Sequence, residues 1–366
     1  VFSTPTVAGD LLFIGSCAGT FYAFDRITGQ VRWSYDIRKD GKQRSFHGDP
    51  LITDELILIG TDYSCEADGV GHVYAFERES GKVRWKYPST SVPTDIVQLG
   101  SNVYFGSYQD QWSSVNLRTG SLTWSFSTGI PNKDCAAIKS PVADKRRLFL
   151  IGLDGVIYAL DAASGRLVWK RKLTAPPSTS LAFRDKSIFV GTSDNHIYRL
   201  KSESGETVAE LATEATPLGR LTLAADSLFV FLENRSERSG YIVSINPNLT
   251  SVRWKQKSTP EWASERPNLW KGLIVAGNCR GEAAAFRASD GALQWKLSIK
   301  GCIRSIGSSG DTLFIGVQEG TVYALGYASS AKRLEVIFPA IDVSLKGRWP
   351  GMAEKNKGTL SGGDHD

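Results

Sequence analysis

Ala23-Phe24-Asp25-Arg26-Ile27-Thr28-Gly29-Gln30-Val31-Arg32-Trp33 is the stretch whose reading decides the fold. An apolar strand ends on an acid, turns at a glycine and resumes as a second strand that carries a tryptophan. Asp25 can accept hydrogen bonds from the backbone ahead of it, and Gly29 supplies the positive φ that a compact hairpin demands. Ala23 is small where neighbouring sheets must approach closely. Trp33 offers a wide flat surface for burial, and its N–H then needs a partner.

The same frame recurs outward from this copy. Ala75-Phe76-Glu77 with Gly81 leads to Trp85, and Ala159-Leu160-Asp161 with Gly165 leads to Trp169. Ser114-Val115-Asn116 leads through Gly120 to Trp124, Ala285-Phe286-Arg287 through Gly291 to Trp295, and Ser244-Ile245-Asn246 through an altered turn to Trp254. Two copies have lost the tryptophan: Arg199-Leu200-Lys201 runs through Gly205 to Ala209, and Ala324-Leu325-Gly326 through Ser330 to Leu334. The spacing suits one propeller blade of about 40–45 residues per unit. A single unit cannot bury its tryptophan, so the units must stack into a closed ring.

Each unit parses into four short strands. In the first these are Ser3 to Val7, Leu11 to Gly15, Thr20 to Asp25 and Val31 to Tyr35, and no segment of the chain has a convincing helical period. The expected fold is therefore all-β, an eight-bladed β-propeller of four-stranded antiparallel blades over residues 1–340. Ala331 to Phe338 matches the outer strand of the eighth unit, so the C-terminal part is expected to complete that blade. Residues 341–366 are expected to form a C-terminal extension, with a mobile tail from Gly351 to Asp366 that folding does not need.

Composition narrows the function. The formal net charge of +5 is spread along the blades, without a basic run interleaved with aromatics, which argues against nucleic acid. No stretch is apolar for long enough to cross a membrane as a helix. His47, His72, His196 and His365 show no metal-ligand spacing, and the five cysteines form no Cys-x-x-Cys pair, so no metal site is expected. Cys17 with Cys65, or Cys279 with Cys302, can pair only if folding brings them together. Neither a nucleophile elbow nor a phosphate loop is present. His47 and Asp49 share a strand face and come nearest to an acid/base pair, but no catalytic residue is assigned.

The complete motif Ala-x-Asp-x-x-Thr-Gly-x-x-x-Trp, carried by Ala23, Asp25, Thr28, Gly29 and Trp33, resembles the tryptophan-docking repeat of PQQ-like, quinoprotein-type propellers. That resemblance implies docking roles for Trp33, Trp85, Trp124, Trp169, Trp254 and Trp295. Similar repeats serve quinone-dependent dehydrogenases, the lipoprotein of the bacterial outer-membrane β-barrel assembly machinery, and sensor domains. The dehydrogenases hold PQQ and Ca²⁺ through dedicated residues that include an adjacent Cys-Cys disulfide and a catalytic Asp. Here Cys17, Cys65, Cys135, Cys279 and Cys302 are never adjacent, and the long insertions that cover a quinone pocket are missing. No cofactor is therefore expected. The expectation is a non-catalytic scaffold of the cell envelope, periplasmic or otherwise outside the cytoplasm, that binds a protein partner. The alternative is a small PQQ-dependent dehydrogenase-like enzyme or a ligand-sensing propeller.

Topology locates the contact face. One face carries the loops between blades and those after each second strand, whereas the other carries only tight turns. The variable loops are Ser64 to Gly71, Tyr108 to Trp112, Glu233 to Gly240 and Pro260 to Arg266, and recognition usually resides in such loops on a rigid ring. Trp112 and Trp262 stand outside the repeated position and are read either as exposed anchors for a partner or as covers of a blade edge. Aligned inner strands place Thr4, Asp49, Asp95, Ser140, Thr179, Arg220, Arg266 and Ser305 round the channel mouth, with Lys139, Glu265 and Arg304 beside them. Acid falls in blades two and three and Arg220, Arg266 and Arg304 in blades six to eight. That grouping either holds a carboxylate or phosphate through forked hydrogen bonds or lines a water-filled channel with solvated charge.

Overall fold

In the computed structural model, eight four-stranded antiparallel sheets follow one another along the chain, each built from four consecutive strands. The described residues are 3–342 apart from 42, 62–69, 131, 133–138, 225, 235, 238, 259–261, 263 and 328–333, with the backbone alone described for 334–342. Blade 1 comprises Thr6–Ala8, Leu11–Gly15, Thr20–Asp25 and Val31–Asp36. Blade 8 comprises Ile303–Ser309, Thr312–Val317, Thr321–Tyr327 and Leu334–Asp342. The eighth blade is thus completed by its own fourth strand. Leu12, Ile14, Tyr22 and Phe24 of blade 1 pack with Phe314, Val322 and Ala324 of blade 8 and close the ring. Beyond Asp342 the expected tail lies outside the described residues.

The hairpins follow from local chemistry. Asp25 Oδ1 accepts from the N–H groups of Ile27 and Thr28 at 3.1 and 2.8 Å, and the N–H of Gly29, with φ +71°, donates to the Asp25 carbonyl. The register between third and fourth strands slips by one residue directly after the small residue of the motif, at Ala23/Phe24, Ala75/Phe76, Ala159/Leu160 and Ala285/Phe286. This bulge twists the outer strand and turns its tryptophan towards the next blade.

Five tryptophans dock in one way. Trp33, Trp85, Trp124, Trp169 and Trp254 donate through Nε1 to the carbonyls of Arg78, Leu117, Ala162, Ser202 and Ala288 at 2.9–3.0 Å. Each acceptor belongs to the next blade and directly follows the acidic or polar position of its motif. The turn glycine of that blade lies against the ring: a Cβ at Gly165, where φ is +72°, would come within 2.6 Å of Trp124. Trp295 holds the equivalent place in blade 7, packed against the core shared by blades 7 and 8, but its buried Nε1 has no acceptor among the described residues. Blade 5 has Ala209 in place of tryptophan. Leu249 from the altered turn of blade 6 fills that space, buried in the same cluster as Ala209 and Leu211.

Candidate functional site at the channel mouth

The first residues of each blade's inner strand lie on the loop-rich face, where the eight inner strands converge. There the backbone N–H of Thr4 donates to Asp49 Oδ1 at 2.7 Å, that of Asp49 to Asp95 Oδ1 at 2.8 Å, and that of Asp95 to Ser140 Oγ at 3.1 Å. Across the ring the acceptors are backbone carbonyls: Ser180 donates to Gly219, Arg220 to Glu265 and Glu265 to Arg304, at 2.9, 2.9 and 3.1 Å. Every link passes from one blade to the next in the same sense. Carboxylate and hydroxyl side chains serve blades 1–4, and main-chain carbonyls serve blades 5–8. Asp49 and Asp95 therefore have a structural task, because each caps the preceding blade's exposed donor.

Their remaining oxygens face Arg220, whose guanidinium reaches across from blade 6. Arg220 forks onto Asp95, with Nη2 3.1 Å from Oδ1 and Nη1 on Oδ2, while Nη1 also lies 3.1 Å from Asp49 Oδ2. Arg220 Nη2 is 2.9 Å from Glu265 Oε2, and Arg266 Nη2 is 3.2 Å from Asp49 Oδ2. Burial opposes ionisation of Asp49, yet Arg220 and Arg266 outweigh it and hold this carboxyl below the usual range. In Asp95, burial and the neighbouring Asp49 win against Arg220, so its pKa is raised. Glu265 is pushed up to about 8, by burial first and then by Asp49 and Asp95, against the pull of Arg220 and Arg266. Burial works against the charge of Arg220, but Asp95, Asp49 and Glu265 together keep it protonated.

The structure thus brings Asp49, Asp95, Arg220 and Arg266 into a single network and adds Glu265 to it. Arg304 lies at its rim, with Nε donating to Gln318 Oε1 at 3.0 Å. Lys139 stands apart near blade 5, where its ammonium donates to the Ser178 carbonyl at 3.2 Å and burial lowers its pKa. For Arg220 the anion-holding expectation needs correction. Both Nη atoms of its fork already lie on carboxyl oxygens of Asp49, Asp95 and Glu265 in the same chain.

The two extra tryptophans part company. Trp112 is not an exposed anchor: it is 1% exposed in the second core layer of blade 3, against Tyr104, Leu148 and Tyr158, and a Cβ on Gly106 would strike its ring at 2.7 Å. Trp262 is half-buried, stacked on Phe231 at 6.4 Å and edge-on to Phe286 at 6.0 Å. It lines a cleft of about 240 Å³ beside the channel mouth, together with Leu218, Phe231, Glu233, Glu265 and Arg304. Sequence reading missed this cleft because its walls come from three blades. It also left open the bridge between Cys279 and Cys302, which ties blade 7 to blade 8 at the same rim. Cys65 and Cys135 lie outside the described residues.

Among the described residues no set of three or more His, Cys, Asp and Glu is arranged to hold a metal ion, and no helix is long and apolar enough to cross a membrane. The profile of the family described as outer membrane protein assembly factor BamB matches residues 2–133 and 113–333, from the first blade into the eighth. The chain belongs to this family. Among BamB relatives, that of Shewanella oneidensis is 24% identical over 254 residues, 64% of this chain and 59% of the relative. The chain therefore spans less than two thirds of that BamB protein. A polyvinylalcohol dehydrogenase of Sphingopyxis sp. is 26% identical over 331 residues, 82% of this chain but 45% of the enzyme. The crystal structure of BamB from Moraxella catarrhalis superposes with a TM-score of 0.72 at 18% identity, covering 87% of this chain and 95% of that one, so the fold is shared.

Proposed function

We propose that this propeller is a non-catalytic docking scaffold for outer-membrane protein assembly, working in the periplasm and meeting a protein partner through its loop-rich face. The observation that carries this reading is the match to the BamB family along almost the whole ring. The geometry of the channel mouth supports it. Arg220, Asp49, Asp95 and Glu265 are turned on one another, so the centre of the face is a rigid polar plug, and recognition is left to the loops and clefts around it.

The dehydrogenase relatives raise the alternative of a quinone enzyme, and the described residues at the channel mouth argue against it. A carboxylate-bearing quinone needs free cationic forks, whereas the Arg220 fork is occupied. A calcium partner needs clustered carboxylate oxygens, whereas Asp49 and Asp95 are already spent on backbone donors and arginines. The cysteine bridge joins two blades and is not an adjacent pair.

Photo-reactive side chains placed singly at Glu237 on the loop-rich face and Asp185 on the tight-turn face test the scaffold reading in cells. Crosslinks to an outer-membrane assembly protein are expected from position 237 and not from 185. Saturable binding of PQQ with Ca²⁺, accompanied by alcohol-dependent dye reduction, would overturn it.

A further inference from the structure

The network beneath the Trp262 cleft is one cation short. Asp49, Asp95 and Glu265 bring three carboxylates to the two guanidiniums of Arg220 and Arg266. The surplus raises both Asp95 and Glu265, and of the two only Glu265 lines the cleft. It keeps its proton into the neutral range because burial and the two aspartates outweigh the arginines. The apolar part of the cleft lining is Leu218, Leu232 and the stacked rings of Phe231 and Trp262, beside the polar Glu233, Ser264, Glu265 and Arg304. Trp262 Nε1 is buried there with no acceptor among the described residues. Arg304 at the rim is turned onto Gln318.

A flat cation on an apolar stem fits these features. A guanidinium can lie along aromatic faces while its fork meets a carboxylate, and its weak hydration makes entry into such a cleft cheaper than for an ammonium. A volume of about 240 Å³ admits one side chain and no large cofactor. We propose that the cleft between blades 6, 7 and 8 receives an arginine side chain of the protein partner, gripped by Glu265 and stacked against Trp262 and Phe231. The inference rests on the reading of the loop-rich face as the partner-binding face and assigns that face a specificity pocket.

Binding of the cation favours the ionised form of Glu265, so docking releases a proton at neutral pH. The other charged groups of the network and the cleft are Arg220, Arg266, Asp49, Asp95, Arg304 and Glu233. Asp49 is held ionised by Arg220 and Arg266, whereas Asp95, like Glu265, is raised by burial. The raised carboxyl that an added cation in the cleft meets is therefore Glu265.

The test uses the whole chain and the probe acetyl-Gly-Arg-Gly-amide, with the citrulline peptide as its uncharged isostere and the lysine peptide as an ammonium control. Calorimetry near pH 7.5, in two buffers of different ionisation heat, reads both affinity and proton release. Expected are saturable binding of the arginine peptide, at least about tenfold weaker binding of the citrulline peptide, and a similar loss in Glu265→Gln and Trp262→Ala. Proton release should vanish in Glu265→Gln, which mimics the protonated glutamic acid and so keeps the fold. Equal affinity for arginine and citrulline, no saturation up to about 10 mM, or wild-type binding by Glu265→Gln would each overturn the proposal. Crosslinks at Glu237 that persist when Glu265→Gln has no effect would show that the pocket fails while the scaffold reading stands. Loss of the crosslinks themselves would sink the scaffold reading.

Discussion

At the scale of single residues, Glu265 shows how a side chain that sequence reading placed merely beside the ring joins its buried charge network with a raised pKa. Its type and position were legible, but its protonation was not, because that depends on Asp49 and Asp95, more than a hundred and fifty residues away along the chain and adjacent in space. A carboxyl whose folded pKa is raised from 4.5 to about 8 binds a proton in the native state that the unfolded chain has lost. Folding then takes up a proton between these values, so this group lowers stability as pH rises from about 4.5 to about 8. Asp49, held below its usual range, works in the opposite sense and loses its contribution only in acid. Glu265→Gln cannot ionise. Urea unfolding should find the variant close to wild type near pH 5 and clearly the more stable of the two near pH 9, and parallel curves for the two proteins would mean that Glu265 ionises freely. Trp112 shows the opposite limit of sequence reading: it was seen as standing outside the docking position, but it lies in strand Gln111–Asn116 two residues before Ser114, as Phe21 lies before Ala23, and strand alternation buries both rings.

At the scale of the blade, the repeat was readable because its physics is local. An acid accepts from the turn ahead of it, a glycine takes the positive φ, and an indole docks on the next blade's copy of the same turn, so each unit carries both halves of an identical joint. Where the joint fails in sequence, it is rebuilt in space. The large tryptophan and small glycine of the other interfaces give way, between blades 5 and 6, to the small Ala209 and the large Leu249, which fills the gap from a left-handed turn position with φ +58°. Sequence reading saw both departures and had no signal that they compensate. The pairing has a measurable consequence. Ala209→Trp alone should overfill the site at a cost of about 1–3 kcal/mol. Leu249→Gly alone should leave a cavity, partly offset by relief of the positive φ, for a loss of about 2–4 kcal/mol. Combined, the substitutions restore the tryptophan–glycine arrangement, and the double variant should be at least about 1 kcal/mol more stable than the sum of the single effects. Strict additivity in chemical denaturation would show that the two positions do not share one space.

At the scale of the whole molecule, the ring needs devices that no single unit encodes. The repeat count predicted closure, and the packing of blade 1 on blade 8 provides it. Aligned repeats placed the residues of the belt and the crossing arginine at the channel mouth, but which side chain meets which donor or guanidinium there left no trace in local spacing. Arg220 links blades 2, 3, 6 and 7 at once, and its worth depends on what is left when it goes. Arg220→Ala abandons buried Asp49 and Asp95 side by side, which should cost about 3–5 kcal/mol and raise the pKa of both carboxyls. The loss should therefore be greatest at neutral and alkaline pH and should shrink in acid as the aspartates accept protons. Replacing the cluster together, as Arg220→Met with Asp49→Asn and Asp95→Asn, removes the uncompensated charge while the asparagine side-chain oxygens can still accept from Thr4 and Asp49. That triple variant should recover most of the lost stability. If instead the triple variant is as unstable as Arg220→Ala at every pH, the guanidinium holds the ring by a contribution beyond charge balance, and the plug must be counted among the bonds that close the propeller.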